Sequence, residues 1–337
     1  MPTHHQRNGQ CPDPAADPAV DAAPGEDARV RFLRTGADAD LPIVDAHHHL
    51  FDVGANYYPW LRDEPRIPFR YGDYRAICTD FLPAHYRRAS AGHLVVKRVL
   101  IEGEWDPTDP LGEVAWVERM AAAHGMPDAM AAQAWLDRDD IDEVLAAHGR
   151  AAIVRSVRHK PRALLRGEYH AQFNAPGSMR SLRWRDGYAK LARHDLMFEL
   201  QVFWWHLPEA AELARDFPAT TIIVNHCGLP SDRSEQGLAG WRAALALLAR
   251  EPNVRLKISG ICVPGQRWTA DLNGEVVRDA ISIFGVERCC FASNFPVDGL
   301  VSSMDEIFSG FKEITRYLAP ADRLKLFHDN AVQLYRL

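Results

Sequence analysis

The stretch Ile43-Val44-Asp45-Ala46-His47-His48-His49 decides the reading of the fold. It starts apolar and β-branched, as a strand covered on both faces does, and ends in imidazoles. Side chains two apart along a strand share a face, so Asp45, His47 and His49 are expected on one side and His48 on the other. Two imidazoles aimed from the carboxyl end of a strand fit a parallel barrel, whose strand ends surround the catalytic mouth.

Seven further short apolar runs follow, at 97–102, 129–135, 151–157, 197–203, 221–225, 254–259 and 289–292. Between them lie stretches of helical periodicity. Residues 112–124 carry Val114, Val117 and Met120 on one stripe, and 139–148 carry Ile141, Val144 and Leu145. Others span 207–215, 238–250, 274–284, 303–317 and 320–335. Strands alternating with helices predict a parallel sheet, and eight such units predict an α/β fold, a (β/α)8 TIM barrel over residues 41–337. Residues 1–40 are rich in Pro, Ala, Asp and Gly, which predicts a disordered, extended or loosely packed N-terminal tail. Two connections exceed the short loops of an ideal barrel, 52–93 and 162–185. Both follow strands and carry aromatic residues, so both are candidate pocket walls.

The bulk numbers exclude several classes of function. The 337 residues are 47% hydrophobic and 25% charged, enough for one sizeable core. A net charge of -6 gives no reason to expect nucleic acid or anionic membrane as a partner. Six cysteines without a C-x-x-C pair read as reduced thiols. The start has no apolar signal region and no run approaches the ~18 apolar residues of a membrane span, so the expectation is a cytoplasmic protein.

Two more motifs join the first. Thr221-Ile-Ile-Val-Asn225-His226-Cys-Gly228 ends a buried strand in Asn-His, with a glycine that permits a tight turn. Cys290-Phe-Ala-Ser293-Asn294-Phe295-Pro296-Val297-Asp298 ends the last strand. Ser293 and Asn294 are expected to face the mouth, while Asp298 either reaches the site or caps the next helix. The imidazoles of such a site can bind a metal, grip a carboxylate or hold a water. His206, Arg158, His159 and Lys160, with Glu102 and Glu104 after the second strand, are further candidates for contact or proton transfer. Arg155 reads as a surface salt bridge.

With Asp45-Ala-His-His-His-Leu-Phe-Asp52, Tyr58-Pro-Trp60-Leu61, Val154-Arg-Ser-Val-Arg158-His159, Leu200-Gln-Val-Phe203 and Leu207-Pro-Glu-Ala210, these motifs resemble the amidohydrolase-related family, in particular its lactonase branch. The resemblance runs from about residue 41 to the C-terminus and follows the order of the family's motifs. It implies a distorted TIM barrel and a hydrolase that opens a small cyclic ester by attack of an activated water. His47, His49, His226, Asn294 and Asp298 would form the catalytic set, and Arg158, His159, Glu102, His206, Tyr58 and Trp60 would contact substrate. One departure matters: the family commonly has Ser-Asp-Trp-Pro where this chain has Ser293-Asn294-Phe295-Pro296. A neutral amide cannot take a proton from water, which leaves Asp298, Glu102 and His226 as candidate bases. The expected cofactor is none or a single divalent metal, zinc first, on His47, His49 and His226. The expected partner is a small carboxylate or lactone, and a homodimer stays open. Metal-dependent decarboxylation of an aromatic or enoic acid, and a non-catalytic barrel that binds a small acid, are the competing readings.

Overall fold

A computed structural model describes residues 27–337. Eight parallel strands follow one another in chain order: β1 (Ile43–His48), β2 (Val95–Ile101), β3 (Ala129–Gln133), β4 (Val154–Arg158), β5 (Met197–Leu200), β6 (Ile222–Val224), β7 (Val254–Ile258) and β8 (Cys289–Phe291). The last strand returns to the first. The Asn294 amide donates to the His47 carbonyl at 2.8 Å, and the His49 amide to the Phe295 carbonyl at 2.7 Å. These two bonds, made just beyond the end of β8, bring the ring together as a TIM barrel. All eight expected runs are strands, and the helix expected at 112–124 is found as Gly112–His124.

Alternate side chains along each strand build two apolar layers. Ile43, Leu100, Met130, Phe198, Ile222 and Phe291 face the surrounding helices. Val44, Ala46, Val99, Ala129, Ala131 and Ile223 fill the interior, where the small residues of β3 leave room for Tyr335 from the C-terminal helix. That tyrosine enters from the end opposite the catalytic mouth. Arg155, at the start of β4, donates to the Tyr335 carbonyl at 2.9 Å, so it ties the C-terminal helix to the barrel rather than forming a surface salt bridge.

Strict alternation fails in β1, where it matters. The register of β1 against β2 shifts between Asp45 and His48. Such an irregularity inserts a residue and reverses the facing of those beyond it. Asp45 therefore sits with His48 on the helix side, not with His47 and His49. Both meet Tyr86 of the helix Pro83–Ser90: its hydroxyl donates to Asp45 at 2.7 Å, and its ring lies 4.7 Å from that of His48. Asp45 also accepts the Ser293 amide at 2.8 Å and the Ser293 hydroxyl at 2.6 Å. This aspartate is a clasp between β1, the end of β8 and a helix, and Ser293 does not face the mouth.

Of the tail expected over 1–40, residues 1–26 lie outside the described residues. The remainder departs from the expectation, because Ala28–Thr35 is a helix capped by the Asp27 carboxylate and ended by Gly36 in the left-handed region. Phe32 is its fully buried anchor, worth ~2 kcal/mol of apolar burial. Arg29 grips Asp329 through two bonds of 2.8 Å. A composition-based reading undervalues a segment that holds one such anchor. The thiols of Cys78, Cys227, Cys262, Cys289 and Cys290 are free, and among the described residues no helix is long and apolar enough to cross a membrane.

Candidate active site

Three imidazoles meet where β1 and β6 end. The His47 ring centroid lies 5.1 Å from that of His49 and 4.6 Å from that of His226. His49 is oriented by its Nδ1, 2.8 Å from the Ile101 carbonyl. A carbonyl only accepts, so Nδ1 carries the hydrogen and Nε2 of the neutral ring keeps its lone pair. His226 Nδ1 lies 2.9 Å from the Ser259 hydroxyl, which fixes the ring plane and leaves Nε2 for the cavity. His47 lies between the other two rings, and both its nitrogens are buried without a hydrogen-bond partner among the described residues.

The backbone that presents His226 is strained. His226, Cys227 and Leu229 all adopt positive φ, at 56°, 54° and 56°. Each non-glycine residue there costs about 1 kcal/mol or more, and such strain gathers at functional sites. Trp241 holds the turn by donating its indole N–H to the Cys227 carbonyl at 2.7 Å. Gly260, itself at φ 58°, passes directly beside the ring, and a Cβ there would lie 2.3 Å from His226 Nδ1.

Burial is the largest influence on all three histidines and pushes their pKa well below the usual imidazole value. For His47 the next cause is the charge of His226, for His49 that of Arg158, and for His226 that of Arg70. Each ring is therefore neutral at pH 7 and able to accept a proton.

Above them opens a cavity of about 430 Å³, lined by His49, Trp60, Phe69, Arg70, Arg158, Lys160, His226, Arg233 and Asn294 among others. Four cationic side chains face Glu104, so the space suits an anionic or strongly polarised ligand. Asn294, at φ 56°, donates its Nδ2 to Asp298 at 2.7 Å. The same Asp298 oxygen accepts the Tyr71 hydroxyl at 2.8 Å and lies 3.4 Å from Arg70. Burial raises the Asp298 pKa, against the pull of Arg70 and these hydrogen bonds. Asp298 thus reaches the site through Asn294 and Tyr71, and it is not a helix cap.

The other expected residues part company. Arg158 lines the cavity, with Nε 2.5 Å from a Glu102 carboxylate oxygen, Nη2 2.6 Å from the Glu102 carbonyl and Nη1 3.2 Å from Gln201. Glu102 is committed to that arginine and does not line this cavity. His159 accepts from the Leu136 amide and the Trp184 indole, both at 3.0 Å, and borders a second cavity beside the first. His206 lies away from both. Its Nε2 accepts the Leu164 amide at 3.0 Å and its Nδ1 lies 3.1 Å from Glu209, so it anchors the loop after β4. Tyr58 is fully buried and packs on Phe51 and Trp105, whereas Trp60 lines the cavity as expected.

The connection 52–93 does wall the cavity, through Trp60 and residues 67–71, while 162–185 supplies nothing to it. Loops after β6 and β7 take that place and bring Arg233 and Gly260. Beneath the imidazoles, Lys257 of β7 and Glu199 of β5 form a fully buried ion pair at 2.9 Å, with the Tyr335 hydroxyl and the Asn225 amide each 2.6 Å from the carboxylate. Glu199, the lone charge of the apolar strand β5, was the sequence signal for this pair, whereas β7 carries Arg255 as well as Lys257.

Among the described residues, no group of three or more His, Cys, Asp or Glu side chains is placed to hold an ion. The last strand contributes a neutral amide, and the nearest carboxylate already accepts from three neighbours.

Comparison with known proteins gives concordant findings. A protein 40% identical over 299 residues, covering 89% of this chain and all of its own length, is the uncharacterized protein y4mH of Sinorhizobium fredii. An L-fucono-1,5-lactonase of Burkholderia multivorans is 26% identical over 309 residues, covering 87% of this chain and 96% of its own. A crystal structure of a Burkholderia multivorans amidohydrolase with bound zinc superposes with a TM-score of 0.70 at 23% identity, over 88% of this chain and 99% of that one. A family model described as Amidohydrolase matches residues 44–337.

Proposed function

This chain belongs to the amidohydrolase family and is a hydrolase, and from that premise we propose that it opens a small cyclic ester, a lactone, at the carboxyl end of the barrel. The observation that carries the reading is the set of neutral, buried imidazoles directly beneath a cavity lined by Arg70, Arg158, Lys160 and Arg233. The lactonase-named relative supports the same class of substrate.

His226 is the base in this account. Its Nε2 takes a proton from a water as the water oxygen adds to the lactone carbonyl carbon. The arginines and Lys160 stabilise the oxyanion that forms, or grip a carboxylate on the substrate. When the ring C–O bond breaks, the departing alkoxide recovers the proton from the imidazolium, and the product is a hydroxy acid. His49 offers only its Nε2 lone pair and so orients the water through one of its hydrogens. Asp298 acts at one remove, through Asn294. Glu102, paired to Arg158, keeps the guanidinium in place and does not act as base. The substitution His226→Asn removes Nε2 but keeps a polar group near the place of Nδ1, and it should lower kcat/KM by a factor of roughly 10² to 10⁴ with the circular dichroism unchanged. Unchanged turnover would remove His226 from the mechanism.

The donor set makes tight metal binding unnecessary to this scheme, and no step runs through one. Exhaustive chelation should leave kcat/KM within about twofold of its starting value. A loss restored by zinc would overturn that part and favour metal-dependent decarboxylation or hydrolysis.

A further inference from the structure

A second cavity, of about 490 Å³, adjoins the first over the ends of β2, β3 and β4. Trp60, Ile67, Glu104, Arg158 and Lys160 border both, so the two are continuous across the Lys160–Glu104 ion pair. That pair is only half-buried, and Glu104 is held at a φ of 58°. The Lys160–Glu104 pair is a partition between two spaces rather than the wall of one.

The chemistry of the two spaces differs. The first is cation-lined. The second has three tryptophans on its walls, Trp60, Trp105 and Trp135, with Trp135 44% exposed and its ring stacked on His159 at 2° between planes. Its lining also holds the acceptor oxygens of Asp63 and Gln133. Asp63 already accepts from Tyr57, and the Gln133 amide spends a donor on the Trp105 carbonyl and keeps its oxygen. Flat apolar faces below acceptor oxygens match a ring that has an apolar face and hydroxyl groups at its edge. The first cavity adds Arg70 and Arg233 to the shared Arg158 and Lys160, so an anion is better held there.

We propose that this second cavity is a binding subsite for a hydroxylated ring, a pyranose or a phenol, carried by the lactone that is opened beside His226. The proposal rests on the lactone-hydrolase reading and extends it: the preferred substrate has two rings, one reacting and one stacked on Trp135.

The test is calorimetric titration of the whole chain with hydroxy acids, which probes binding whether or not any lactone is turned over. Gluconate fills only the first cavity. Cellobionate adds a pyranose, and the acid of 5-(4-hydroxyphenyl)-γ-butyrolactone adds a phenol. Cellobionate, the phenolic acid or both should bind at least tenfold tighter than gluconate, and whichever gains identifies the ring. Trp135→Ala should remove the gain while leaving gluconate affinity within twofold, and Trp135→Phe should keep much of it. Equal affinities for all three acids, no binding of any, or a gain that survives Trp135→Ala would overturn the proposal. Failure of lactone hydrolysis with this pattern intact would sink the reaction and leave the subsite standing.

Discussion

At the scale of the residue, His226 depends on its neighbours more than on its own place in the chain. Gly260 is the clearest case, because it is required twice: by its φ of 58° and by the His226 ring against which a Cβ would collide. Gly260→Ala should therefore displace the imidazole and lower kcat/KM by about tenfold or more, beyond a strain cost of about 1 kcal/mol. Gly265→Ala is the control. It has a φ of 73° and open space around the missing Cβ, so it should lose stability by a similar amount and keep its activity. Equal kinetics for the two variants would show that the ring tolerates the contact. That His47 and His226 would meet was legible from their motifs, because both end strands of one ring. His206 and Tyr58 misled, because a polar aromatic beside a loop anchors that loop as readily as it meets a substrate.

At the scale of the element, the eight strands were readable because each is a short apolar run between helical stretches. The facing of β1 was not, since a register shift leaves no mark in composition. Two-residue alternation put Asp45 in the mouth, and the irregularity put it against Tyr86 and Ser293. The carboxylate there closes the barrel, so Asp45→Ala should destabilise the fold by roughly 3 kcal/mol, by removing charged hydrogen bonds and orphaning the Tyr86 hydroxyl and the Ser293 amide. Urea unfolding measures this, and a change under 1 kcal/mol would contradict the clasp. Arg70 and Arg233 escaped the sequence reading for a related reason: each sits in a loop whose path depends on tertiary packing.

At the scale of the whole molecule, the buried histidines set the acid limit. His47, His48, His49 and His226 have folded pKa values below that of an unfolded imidazole, with burial the first cause in each and His48 taken down to about 3. The unfolded chain therefore binds protons that the folded chain refuses. Stability is intact above about pH 6.5 and falls as pH drops below it, by about 1.4 kcal/mol per unit for each histidine. Glu113, held up to about 8 by burial and by the charge of Glu102, works the opposite way, since folding favours its protonated form. Asp45 and Asp298, raised by burial, act with Glu113, but His93, His148 and His159, lowered by burial, act with the other four, so the histidines win. Unfolding free energy should drop steeply between pH 6.5 and 5, while kcat/KM of the folded enzyme stays flat because His226 remains neutral. A kinetic limb near pH 6.5 without loss of fold would mean that His226 titrates normally.

The most direct test of the central claim is a pH-indicator assay of acid release from sugar lactones and ring-cleavage lactones, using folded wild-type protein and His226→Asn side by side. The account predicts catalysed opening of one chemically related group of lactones by the wild type, and a drop of two orders of magnitude or more in the variant. Silence of the folded wild type across the whole panel, or equal rates for the two proteins, would contradict it.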